Sequence, residues 1–230
     1  MRSAEQGTVI VTGGASGLGA AVAGAVEAAG GTPVVLDLER PANGFAFRAV
    51  DLADARAAEA AVAAVAAEHG AVTGVVTAAG IDACGRLDDV EPATWDRVVA
   101  VNLLGTAAVV RAALPHLERA RGRVVTVAST LGLKAVSDAT AYCASKFGVV
   151  GFTRALAAET AGRVGVTLLV PGGMRTRFFD GRPDQYKPGP DAKLAPPEEV
   201  AAAVVFALSR PSEVELRELV VATSTEPSWP

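Results

Sequence analysis

Sulfur and imidazole are scarce in this chain: its 230 residues include two cysteines and two histidines. Cys84 and Cys143 cannot build a disulfide framework, so a reducing cytoplasm is the default location. His69 and His116 have no ligand-spaced partners, so no metal is expected and both read as helix-end or surface residues. Aromatic residues make up 5% of the chain, which leaves alanine and valine to build most of the core. No charge of one sign dominates. The net charge of −4 and the lack of a basic stripe argue against nucleic acid as a partner. Long apolar runs are missing too, since none reaches the roughly eighteen uninterrupted residues of a membrane span. Met1 to Gln6 leads directly into the first apolar run and leaves no room for a signal peptide. These absences predict a chain with neither a membrane nor a nucleic-acid partner.

What the chain has in quantity is alternation. Short β-branched runs are expected as strands near 8–12, 33–37, 45–50, 72–77, 123–128, 164–170 and 218–223. Alanine-rich helical stretches lie between them, near 17–29, 54–68, 94–118, 140–161 and 197–209. The length suits one α/β domain, 1–230, and no linker or repeat divides it. The pattern predicts a doubly wound Rossmann fold, a seven-stranded and mainly parallel sheet with helices on both faces. Ligands of such sheets bind at the strand C-terminal ends, and Gly13, Asp37, Gly80, Ser129 and Gly172 all fall there. One stretch breaks the order. From Met174 to Pro196, Gly, Pro and Asp gather around Phe178, Phe179 and Tyr186, as in a mobile lid over a substrate, near 174–196.

The first strand ends in Thr12-Gly13-Gly14-Ala15-Ser16-Gly17-Leu18-Gly19, and a helix follows. Strand, glycine turn and helix together form the context of a dinucleotide site. The glycines admit a pyrophosphate close to backbone, at a helix N-terminus with unpaired N–H groups. Asp37 ends the next strand, where a carboxylate accepts ribose hydroxyls and repels the extra phosphate of NADP. NAD is therefore expected over NADP, although Arg40 stands close enough to blunt the preference.

Further along, Tyr142 and Lys146 are four residues apart, with Ser129 thirteen residues before Tyr142. On a helix that spacing puts phenol and ammonium on one face. A free tyrosine titrates near pH ~10, and a neighbouring positive charge lowers that value toward usefulness as an acid or base. Ser129 could hold a substrate oxygen against the phenol. Cys143 points away from that face and reads as a small buried hydrophobe.

From about Thr8 to about Leu208 the chain resembles the short-chain dehydrogenase/reductase family. Thr12, Gly13, Gly17 and Gly19 match its glycine pattern, and Asp51-Leu52 matches the pair whose acid meets the adenine amino group. Trp95-Asp96-Arg97 and Val101-Asn102-Leu103-Leu104-Gly105 match the long helix carrying the family's Asn, and Pro171-Gly172-Gly173-Met174-Arg175-Thr176 resembles the segment after the sixth strand. The resemblance implies a tetrad of Asn102, Ser129, Tyr142 and Lys146. Tyr142 would exchange the substrate proton, and Lys146 would lower its pKa and hold the nicotinamide ribose. Ser129 would orient the carbonyl, and Asn102 would hold a water linking Lys146 to solvent. Hydride would move from the pro-S face. The cofactor would lie against Gly13, Ser16, Gly17, Leu18, Gly19, Asp37, Asp51, Leu52, Ala79, Gly80, Pro171, Gly172 and Thr176, with Thr176 on the carboxamide.

Two departures stand out. Ala78, within Thr77-Ala78-Ala79-Gly80, replaces an Asn that ties neighbouring strands in the family, so an altered hydrogen-bond set is expected. The chain also ends in a short tail with Trp229, expected to pack at a subunit interface or a pocket rim. Leu131, Leu133, Val136, Met174 and Phe178 predict an apolar pocket for a hydrophobic or cyclic secondary alcohol or ketone. An NADPH-dependent acyl-thioester or polyketide ketoreductase and a non-catalytic dinucleotide sensor are the competing readings. A homodimer or homotetramer through the helices of Asn102 and Tyr142 is what the family implies.

Overall fold

Five valine-rich runs become strands buried on both faces, the pattern of a parallel sheet covered by helices, and the two edge strands are part exposed. The computed structural model describes residues 7–229, so the expectation for Met1 to Gln6 lies outside the described residues. The strands are β1 (Thr8–Thr12), β2 (Thr32–Asp37), β3 (Ala46–Ala49), β4 (Val72–Thr77), β5 (Arg123–Val127), β6 (Gly165–Pro171) and β7 (Glu218–Val221). They form one parallel sheet in the order β3-β2-β1-β4-β5-β6-β7. The order reverses between β1 and β4, and that switch point opens a cleft at the strand C-terminal ends.

Helices α1 (Gly17–Ala28) and α6 (Pro197–Leu208) cover one face through Leu18, Val22, Val26, Val200 and Val204. The other face carries α2 (Ala55–His69), α4 (Thr106–Ala120) and α5 (Thr140–Glu159). Local signals set their ends. The Asp54 carboxylate accepts from the N–H groups of Arg56 and Ala57 at the start of α2, and Gly70 at φ 77° ends it. Arg123 is buried beneath the sheet and donates to the carbonyls of Arg210, Pro211 and Val214, which pins the α6–β7 connection.

One helix differs from its predicted form. The stretch expected as a single helix over 94–118 runs from Pro92 to Ala120, but in three parts: α3 (Pro92–Val99), a π-helical turn over Ala100–Gly105, and α4. At Gly105 an added Cβ would lie 2.6 Å from the Leu52 carbonyl oxygen, so the helix crosses the post-β3 loop at backbone contact. By length and composition Pro92–Ala120 is apolar enough to cross a membrane. In this fold it supplies Val101, Val109, Val110, Ala113 and Leu117 to the core instead.

Candidate active site

The glycine turn between β1 and α1 is dictated by contact. Gly13 adopts φ +70°, and a Cβ there would stand 2.7 Å from the Ala79 Cα. At Gly19 a Cβ would lie 2.1 Å from the Gly13 carbonyl oxygen. The α1 N-terminus begins with no side-chain cap from Ser16 and no acid in its first turn. Unclaimed N–H groups beside a bare glycine cradle fit the pyrophosphate of a dinucleotide, so the residues present suit that cofactor.

Asp37, at the end of β2, faces the same turn. Its Oδ2 accepts the Ala15 N–H at 2.9 Å and its Oδ1 the Glu39 N–H at 3.2 Å. Arg40 is drawn away, its guanidinium 5.0 Å from the centroid of the Phe47 ring. On the next wall Asp51 accepts the Ala53 N–H at 2.9 Å and both of its oxygens accept from Arg97, at 3.0 and 3.2 Å. The Ala53 hydrogen bond, with help from Arg97, holds the Asp51 carboxyl below its usual range against the opposing effect of burial. Arg97 thus lines the cleft beside Asp51 and Leu52, a place that the sequence reading gave only to its motif.

At Ala78 the lost amide is not replaced in kind. The Ala78 methyl joins the core packing, and the Thr12 hydroxyl accepts the Ala79 N–H at 3.1 Å, tying β1 to the end of β4. The neighbouring Thr77 hydroxyl is buried with no partner among the described residues.

The four tetrad positions meet behind and beside Gly80. Asn102 is buried in the π turn and uses both ends of its amide. Its Oδ1 accepts the Ile81 N–H and its Nδ2 donates to the Ile81 carbonyl, each at 2.9 Å, and Nδ2 also reaches the Ser145 hydroxyl at 3.0 Å. Asn102 therefore fixes the backbone after β4 and does not itself line the cleft. Lys146 donates from Nζ to the Val127 carbonyl at 2.8 Å and lies 5.7 Å from the Tyr142 ring centroid. A Cβ on Gly80 would sit 3.5 Å from Lys146 Nζ and 3.6 Å from Asn102 Oδ1, so Gly80 lies against both.

Burial sets the direction of both shifts in this pocket. The Tyr142 phenol is pushed up to about 12 by burial, only partly offset by the hydrogen bond from Ser129. Burial brings the Lys146 ammonium down to about 8. The lowering of the phenol expected from Lys146 is not seen: burial is the largest influence, and the Ser129 hydrogen bond and the Arg182 charge oppose it only in part.

A cleft of about 1160 Å³ joins these parts. Gly13, Ser16, Gly17, Leu18, Gly19, Asp37, Asp51, Leu52, Ala79 and Gly80 line its first half. Ser129, Tyr142, Lys146, Pro171, Gly172 and Thr176 line the second. The segment after β6 folds over the far end through short turns at Arg177–Phe179 and Asp184–Tyr186. There Phe178 tilts against Tyr142 at 5.6 Å, and Arg182 stacks on Phe178 and Phe179 while pairing with Asp82 at 2.7 Å.

Leu131, Met174 and Phe178 line the cleft as expected, but two residues of the predicted apolar wall do not. Leu133 turns into the core between α5 and β6, and Val136 is exposed on the loop beyond it. The tail behaves similarly: Thr225 to Ser228 reach the cleft while Trp229 stays half exposed outside it. The pairing of Arg182 with Asp82 and the reach of Glu226 went unnoticed in the sequence because no local pattern links the β4–α3 loop or the tail to this site.

Comparison with known proteins agrees with this geometry. The profile of the family described as short chain dehydrogenase matches residues 7–187. The "D-threitol dehydrogenase" of Mycolicibacterium smegmatis is 38% identical over 223 residues, spanning 87% of this chain and 85% of its own length. The "2-(S)-hydroxypropyl-CoM dehydrogenase 3" of Xanthobacter autotrophicus is 34% identical over 229 residues, spanning 87% and 89%. Among solved structures, the ligand-free aldohexose dehydrogenase of Thermoplasma acidophilum superposes with a TM-score of 0.85 at 25% identity, over 95% of this chain and 93% of its own.

Proposed function

This chain belongs to the short-chain dehydrogenase/reductase family, and from that membership we propose its reaction: hydride exchange between NAD and a secondary alcohol or ketone. The coarser activity, NAD(P)-dependent oxidation or reduction at a CH–OH carbon, comes with the family. The finer reading rests on one observation. Ser129, Tyr142 and Lys146 line the cleft beside an apolar wall of Leu131, Met174 and Phe178, whose ring stands 5.6 Å from that of Tyr142. That wall favours a substrate whose carbinol carbon carries an apolar or cyclic group.

Hydride donation and acceptance are what a bound nicotinamide supplies; the chain manages the proton and the geometry. At neutral pH the Tyr142 phenol holds its proton, the form that donates to a carbonyl oxygen during reduction. In oxidation the phenol first passes its own proton on toward Lys146, and the phenolate then takes the alcohol proton, with Ser129 holding the reacting oxygen. Lys146, ionising near pH 8 and anchored on Val127, sits on the route by which that proton leaves. Asn102 keeps the Gly80–Ile81 backbone in place behind them.

Asp37 supports NAD over NADP, since its carboxylate stands at the turn where a 2′-phosphate would meet it and Arg40 is engaged by Phe47. We read residues 174–196 as a lid that closes on the substrate, with the Arg182–Asp82 pair as its latch. Self-association would cover Leu104 and Phe147, which the fold leaves exposed on the helices of Asn102 and Tyr142.

Titration with NADH and NADPH, followed by nicotinamide emission, tests the cofactor. Tight NADH and weak NADPH are expected, and the reverse order would refute the Asp37 argument. Tyr142→Phe should lower turnover of a responsive secondary alcohol by about 10²–10⁴, the usual worth of a general acid–base. Unchanged turnover would rule out the tyrosine mechanism.

A further inference from the structure

Beyond β7 the tail returns to the cleft, and its contacts take no part in the proton chemistry described above. Glu226 is half-buried there, near the glycines that follow β6. Its Oε2 accepts the Gly173 N–H at 2.8 Å, and its Oε1 accepts the Ser228 N–H at 3.1 Å and hydroxyl at 2.6 Å. The Ser228 hydroxyl lies 2.6 Å from that of Thr130, the residue after Ser129. Lys134 donates to the Pro227 carbonyl at 3.1 Å and holds the tail from outside. A Cβ at Gly172 would stand 2.4 Å from Glu226 Oε2, so glycine is what lets the carboxylate seat itself here.

The consequence is electrostatic. Burial alone would raise the Glu226 pKa, but the hydrogen bonds from Ser228 and Gly173 outweigh it and keep the group ionised. All of those donors are neutral N–H or O–H groups, so they orient the charge without cancelling it. The carboxylate lines the same cleft as Tyr142, Lys146 and Thr176, and it holds the Gly173 N–H in the post-β6 strap, three residues before Thr176. An ion in a part-dry cleft acts on its neighbours far more strongly than one in water.

We propose that Glu226 is a positioning residue that biases the nicotinamide end of the cleft toward the oxidised cofactor. A fixed negative charge beside the strap attracts the cationic ring of NAD+ and has no such pull on the neutral ring of NADH. The proposal rests on the dehydrogenase reading above, and its test separates the two. Dissociation constants for NAD+ and NADH are measured by calorimetry on the wild-type chain and on Glu226→Gln, Glu226→Ala and Ser228→Ala, each checked for folding by circular dichroism.

Both neutralising variants should weaken NAD+ about tenfold while changing NADH less than about twofold, as expected for loss of one charge at short range. Ser228→Ala keeps the charge and cuts the link to Thr130, so it should move both cofactors by the same factor. Equal weakening of NAD+ and NADH in the two Glu226 variants, or no change in either, overturns the proposal. If the wild-type chain binds neither nucleotide, the dehydrogenase reading itself fails, and the charge argument with it.

Discussion

Replacing Lys146 with methionine should make the protein more stable and less active at neutral pH. In the fold the ammonium is buried and ionises near pH 8, against 10.5 for an ordinary lysine. At 1.36 kcal/mol per unit, holding it charged costs the folded state about 3 kcal/mol at pH 7. The sign follows from linkage. A depressed folded pKa means that stability is fully present above pH 10.5 and is lost as the pH falls through 8. Methionine removes the cost, but it strands the Val127 carbonyl that now accepts from Nζ at 2.8 Å. An unpaired buried acceptor costs about 1–3 kcal/mol. The net gain at pH 7 is then at most about 2 kcal/mol. By pH 10 the lysine penalty has shrunk to about 1 kcal/mol, so the advantage vanishes or reverses. Urea denaturation of both proteins at pH 7 and pH 10 measures the difference directly. The reasoning fails if the stability difference between variant and wild type stays the same at both pH values.

Three further outcomes follow from the geometry. Gly13→Ala places a Cβ 2.7 Å from Ala79 at φ +70°, and should cost about 1–3 kcal/mol of strain and remove NADH binding, read by thermal melts and titration. Asp82→Ala leaves the part-buried Arg182 guanidinium without its carboxylate, and a loss of about 1–3 kcal/mol in urea is expected. The double variant Asp82→Ala, Arg182→Met should recover part of that loss; a double variant as unstable as the sum of its parts would refute the pairing. Asp37→Ala should weaken NADH about tenfold and narrow its advantage over NADPH, as loss of a charge-assisted hydrogen bond predicts.

Local physics made much of this legible in advance. The valine runs and glycine stops marked the five inner strands to within a residue, because a strand buried on both faces admits little else, and the part-exposed edge strands β3 and β7 to within two. The glycine turn, Asp37 and the Tyr142–Lys146 pair carry their geometry in their spacing, and the structure brings them to one cleft. What stayed hidden depends on contacts distant in sequence. Arg182 and Asp82 are a hundred residues apart, and Glu226 reaches Gly173 across fifty-three. The charge states were hidden for another reason: spacing reports that an ammonium is near a phenol, not that the pocket is dry enough for desolvation to win.

The π turn at Ala100–Gly105 has a further consequence for how this helix tolerates change. A regular α-helix advances about 100° per residue, so one residue accommodated in a π turn shifts the phase of everything after it. Trp95, which bonds Thr140 across to α5, and Leu117, buried under β4 and β5, are therefore aimed in different registers of one continuous rod. Deleting a single residue from the turn would restore regular pitch and rotate one half of the rod against the other. Asn102 would swing off Ile81, or the α4 stripe would leave the sheet. A point substitution in that turn perturbs one contact, whereas a one-residue deletion would desynchronise the Asn102 anchor behind the cleft and the α4 stripe in the core.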